Sequence, residues 1–229
     1  MFLSIGMLKL NYFLADIFIL SAEKQPIKLS WRKIECLPEE NYNNLLTELK
    51  SFPYNIDNRM YTYSLDNNII YQGDGIKEMP IIDLANIGKG VKITNCLILS
   101  NTCDMDIANN RLFPASIMYA PIINLANYIS VLQKQGVDDT KIKNHVTNLK
   151  QQKITQIIYL PANSRIDDSI VFLDRIQHID NRYIDRNLLE TKRLFSLSDY
   201  GFYMLIFKLS VHFSRIQEKV NRGSSSISN

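Results

Sequence analysis

Seven consecutive residues, Ser100-Asn101-Thr102-Cys103-Asp104-Met105-Asp106, bring together a thiol, two carboxylates and an amide. A thiolate is a nucleophile where a neighbouring cation or imidazole lowers its pKa, and a carboxylate moves protons where its surroundings tune it. Asp104 beside Cys103 opposes ionisation of the thiol, and no histidine is close in sequence. The competing reading is a turn, with Asp104 or Asn101 accepting backbone N–H groups and Cys103 acting as a small packing residue. Three histidines (His145, His178 and His212) share no metal-ligand spacing. Of these, His178 stands in the most polar setting, Arg175-Ile-Gln-His178-Ile-Asp180-Asn-Arg182. Three cysteines, Cys36, Cys96 and Cys103, form no CxxC pair, which argues against a disulfide scaffold and a structural zinc site. The expectation is a chain without metal or cofactor in the reducing cytoplasm.

Charge supplies a second candidate chemistry. The net charge of +3 is too small to imply a nucleic-acid partner unless it is clustered. Between Arg182 and Arg222 there are eight basic residues against four acidic ones, interleaved with Tyr183, Phe195 and Tyr200. Such a segment can follow a phosphate backbone and stack bases, or it can be the solvated flank of a terminal helix.

These residues need elements to hold them. Cys96-Leu97-Ile98-Leu99 and Ile117-Met118-Tyr119-Ala120 are short apolar runs bounded by polar residues, as expected of strands buried on both faces. From Asn124 to Lys153 the period changes: Leu125, Tyr128, Ile129 and Leu132 share a helical face, and Asp138 to Thr140 can cap a second helix. Ile154–Pro161 and Ser169–Leu173 read as further strands. A long helix is expected to start among the cap oxygens of Ser196 to Asp199. Its broad apolar stripe, through Phe202, Leu205, Leu209 and Phe213, needs cover, which could come from a second copy. That stretch is shorter than a membrane span and contains Lys208 and His212, so no membrane partner is expected. Residues 1–35 read as two strands, and a helix is expected after Pro38. The N-terminal apolar run lacks the basic segment of a signal peptide.

The order of these signals resembles the PemK/MazF toxin family. The residues that carry the resemblance are Gly73-Asp74, Ile98-Leu99-Ser100, Pro121 and Ser169 to Arg182. It implies a mainly β, α+β architecture: an SH3-like PemK/MazF-type barrel over residues 70–185. Added to it are a helical insertion at 124–153, an α/β extension at 1–69, a C-terminal helical segment at 186–222 and a disordered tail at 223–229. The family's catalytic arginine would fall near Thr94, with Lys92 the nearest cation. Its catalytic threonine would fall at Ile122-Ile123-Asn124.

The resemblance therefore implies a toxin- or phage-defence-type protein, an endoribonuclease on single-stranded RNA, with a homodimer and an antitoxin-like protein as expected partners. In that reading Asp104 or His178 moves the proton, and Lys92 or Arg165 stabilises the phosphate. Asn101, Cys103, Arg175, Arg182 and Arg186 contact RNA. The alternatives are a non-catalytic module that binds nucleic acid or protein on the same fold, and a thiol-dependent enzyme using Cys103.

Overall fold

A computed structural model of the chain describes residues 59–83, 88, 90–109, 112–113 and 115–214. The strands expected within 1–35, the helix after Pro38 and the tail at 223–229 lie outside the described residues. Within them the architecture is α+β: an antiparallel sheet of eight strands with five helices.

In chain order the strands are β1 (Tyr61–Thr62), β2 (Gly75–Ile82), β3 (Val91–Ile98) and β4 (Ser116–Asn124). They continue as β5 (Ile157–Leu160), β6 (Ser169–Phe172), β7 (Gln177–Asp180) and β8 (Arg193–Leu197). The helices are α1 (Thr102–Met105), α2 (Leu125–Lys134), α3 (Asp139–Lys150), α4 (Leu189–Lys192) and α5 (Asp199–Ser214). The sheet runs β1-β8-β2-β3-β4-β6-β5, with β7 also on β4.

Strand β4 explains the bend in this sheet. Its first part, Ser116 to Tyr119, pairs with β7, and its last part, Ile122 to Asn124, pairs with β6. Pro121 falls between the two, opposite Cys96 of β3. A proline has no N–H to give a ladder, and here it occupies the place where the neighbouring strand breaks. Backbone pairing does not close the sheet into a barrel. Instead the Gln177 side chain spans from β7 to the end of β2: its Oε1 accepts from Ile82 N at 2.9 Å and its Nε2 donates to Ile82 O at 2.8 Å.

Alternation along β3 fills two cores. Cys96 and Ile98 pack with Ile76, Met79, Ile117 and Tyr119 on one side. Leu97 and Leu99 pack with Ile122, Ile158, Val171, Phe195 and Leu205 on the other. All four residues from Cys96 to Leu99 are buried, as the apolar run implies. The second run departs from its expectation: Met118 is 47% exposed, because the face of β4 opposite Ile117 and Tyr119 is open there.

The helical pair expected after Asn124 is present, and it caps a third core. Leu125 and Leu149 pack on Ile157, Tyr159, Ile170 and Phe172. Asn124 caps α2 by accepting from Asn127 N, and Asp138 caps α3 by accepting from Thr140 N and Lys141 N. Gly136, at φ +76°, takes the left-handed turn between them.

The C-terminal helix begins within the expected cap segment, directly after a strand. Arg193–Leu197 is strand β8, and Ser198 is the cap residue, with Oγ accepting from Gly201 N at 3.1 Å. A side chain at Gly201 would collide with the carbonyl of Met60, so glycine is required there. Tyr203, Met204, Leu205, Phe207 and Lys208 are buried within the single chain, so the broad stripe does not by itself require a second copy. Among the described residues no helix is long and apolar enough to cross a membrane.

Candidate binding site

The Cys-Asp segment folds as a turn. Asn101 is the N-cap of the one-turn helix α1, and its Oδ1 accepts from Cys103 N at 2.9 Å. Cys103 is exposed rather than packed, whereas Cys96 is buried, which pushes its thiol up to about 12. Arg186 ties this turn to the segment that follows β7. It donates to the carbonyls of Asn181, Ile184 and Met105 and to Asn181 Oδ1. Asn181 Nδ2 adds a bond to Met105 O at 2.9 Å.

The structure thus brings the turn that holds Asn101, Cys103 and Asp104 beside Asn181 and Arg186. His178 lies opposite Met118, whose carbonyl accepts from Leu99 N. That places it on the same rung as Leu99 two strands away, about 10 Å at the usual strand spacing.

The other expected site residues do not join them. Lys92 is at the start of β3 and Asn101 is past its end, so Lys92 is roughly 20 Å along the strand from Ile98 alone. Arg165 and Asp104 adjoin Ile166 and Met105, which pack into the cores on opposite sides of β3. Arg175 stacks over the Phe172 ring, 4.4 Å from its centre.

The cations of the basic segment are engaged internally as far as the described residues extend. Arg182 pairs with Asp180, and its hydrogen bonds hold that carboxyl down at about 2. Lys192 is 3.4 Å from Glu78. Lys208 Nζ donates to the carbonyls of Ile154 and Ile157, and its burial holds it down at about 7.

Arg193 is bound most tightly. Its Nε donates to the fully buried Asp74 at 3.1 Å, its Nη1 to Asp66 O at 3.0 Å and its Nη2 to Ile69 O. Asp74 also accepts from Ser196 Oγ at 2.6 Å and from Tyr71 N at 2.9 Å. Burial pushes the Asp74 carboxyl upward, while Arg193, Ser196 and Tyr71 pull against that shift. The Gly73-Asp74 pair is therefore an ionic anchor joining β2 to β8.

One cavity combines polar groups that have capacity to spare. It measures about 380 Å³ and is lined by Asn95, Ile122, Asn163, Arg165, Ile166 and Asp167, among others. Asn163 shapes it: its Oδ1 accepts from Arg165 N at 2.7 Å and from Ile166 N at 3.0 Å. Those two bonds fix the amide orientation, and Asn163 Nδ2 is left buried with no partner.

Arg165 Nη1 is anchored on Arg193 O at 2.7 Å, which leaves Nε and Nη2 without a protein acceptor among the described residues. Asp167 Oδ2 accepts from Asn124 Nδ2 at 3.3 Å, and its Oδ1 receives no protein donor. Arg165 is the one sequence-expected site residue in this cavity. Asn95, Asn163 and Asp167 escaped the sequence reading, although Asn163-Ser164-Arg165-Ile166-Asp167-Asp168 carries a visible signal: a polar run with an Asx-turn residue after Pro161.

Comparison of the chain with profiles of known protein families gives no match, and comparison with curated protein sequences gives none either.

Proposed function

We propose that the chain is a non-catalytic module that binds single-stranded RNA and receives an unstacked base in the Arg165–Asp167 cavity. The observation that carries this reading is the mixture of groups lining that cavity. There are donors at Arg165, an acceptor at Asp167, an amide offering both at Asn95, and apolar surface from Ile122 and Ile166. A neutral planar ring with donors and acceptors on its edge fits such a mixture. Sequence-specific RNA binding works by splaying single-stranded bases into sites of this kind.

The PemK/MazF-type barrel is part of the proposal. It is supported by the curl of β2, β3, β4 and β7 around one core and by the Gln177 amide spanning β7 and β2. Binding is preferred to cleavage because Asp104, an expected proton carrier, lies across β3 from Arg165 and a strand's length from Lys92. Hydrolysis of a phosphodiester needs those roles at one atom.

The test is fluorescence anisotropy with labelled single-stranded and duplex RNA of one composition. The single strand is expected to bind more tightly, because its bases can be splayed out without breaking pairs. Equal binding of both forms, or none, would overturn the reading.

A further inference from the structure

We infer that the Arg165–Asp167 cavity is selective for a guanine base, a refinement that rests on the RNA-binding reading just proposed. Guanine is the base whose edge presents two adjacent acceptors, O6 and N7, followed by two adjacent donors, N1–H and the 2-amino group. Arginine meets the first pair with a two-pronged contact, the commonest base-specific contact in nucleic-acid recognition. Arg165 is available for it: Nη1 is held by Arg193 O at 2.7 Å, and the Nε and Nη2 donors have no acceptor among the described residues. The carboxylate of Asp167 meets the donor pair, because Asn124 Nδ2 engages Oδ2 at 3.3 Å and leaves Oδ1 to accept. Ile122 and Ile166, both nearly buried, give the ring face an apolar surface.

The other bases fit less well. Adenine puts its amino donor beside N7, against the Arg165 donors, and has no N–H for Asp167. Uracil and cytosine each carry one N–H group on the base edge against guanine's two, on a single ring that covers less of the isoleucines.

The experiment is isothermal titration of the full chain with GMP, AMP, UMP and CMP at one ionic strength, repeated with Asp167→Asn and Arg165→Ala. Anisotropy is measured in parallel on two single-stranded RNAs, one lacking guanine and one containing a single guanine. GMP is expected to bind at least about tenfold tighter than the other three, in keeping with the discrimination of a two-pronged contact. Asp167→Asn, at an exposed side chain, should bring GMP down to the level of AMP without changing AMP. Arg165→Ala should weaken GMP most.

Affinities for the four nucleotides within threefold of one another overturn the guanine assignment, and RNA binding without guanine preference does so while leaving the RNA-binding reading in place. Selective GMP binding with no RNA binding supports the guanine site and overturns the RNA reading. Absence of both overturns both. Unfolding midpoints of the variants close to that of the parent chain show that losses are local.

Discussion

Removing the Asp74 carboxylate is the sharpest perturbation the fold offers. Asp74 is fully buried and Arg193 is 7% exposed, so Asp74→Ala leaves a guanidinium inside the protein with only the carbonyls of Asp66 and Ile69 as acceptors. Breaking one side of a buried ion pair costs about 3–5 kcal/mol, since the remaining charge has no counter-charge. Ser196 Oγ and Tyr71 N lose their acceptor in the same step, which places the loss toward the top of that range. A domain stable by about 5–15 kcal/mol loses a third or more of its stability. At about 2–4 °C per kcal/mol for a chain of this size, the midpoint falls by roughly 6–20 °C. Urea unfolding followed by circular dichroism should be measured for the parent, Asp74→Ala, Arg193→Met and the double variant. The double variant should be less destabilised than the sum of the singles by at least about 1 kcal/mol, because it removes both charges. A loss below about 1 kcal/mol for Asp74→Ala, or strict additivity, would refute the ionic anchor.

Three further outcomes follow from individual contacts. Gln177→Ala removes both bonds to Ile82 and should cost about 1–2 kcal/mol; hydrogen exchange should quicken at the end of β2, and unchanged exchange there would show that the amide does not hold the two strands together. Lys208 titrates near 7 when folded and near 10.4 when unfolded, so between those values the unfolded chain holds the extra proton and stability rises with pH, by at most about 1.4 kcal/mol per pH unit. Urea midpoints at pH 6, 7.5 and 9 should show this rise in the parent and lose it in Lys208→Met; identical profiles would refute the assignment. Gly201→Ala must displace the Met60 carbonyl or the start of α5, so a thermal midpoint at or above the parent's would contradict the close approach at that point.

Local patterns made part of the fold legible. Cys96 to Leu99 reads as a strand because every residue is apolar and both faces are covered, and α2 and α3 read as helices because their own periods and caps specify them. Strand β8 was hidden, because its apolar residues run straight into the equally apolar α5, and its strand character comes from pairing with β1 and β2. The same non-local dependence hid the site. Arg193 is 119 residues from the aspartate that neutralises it, so its side chain looked open to solvent when its charge was already matched. Asn95 reaches Arg165 only through the register of β3 on β4 and of β4 on β6, which no spacing in the sequence displays. Asn101 was legible because an Asx turn is a matter of adjacent residues.

The measurement that bears most directly on the binding reading is the affinity of one labelled single-stranded RNA for the parent chain and for Arg165→Ala, compared by anisotropy in the same buffer. Arg165 supplies two donors of the cavity that no protein group among the described residues uses, so its removal should weaken binding by about tenfold or more, in line with the loss of a two-pronged contact. Equal affinity of the two proteins would place the RNA elsewhere on the molecule and contradict the account.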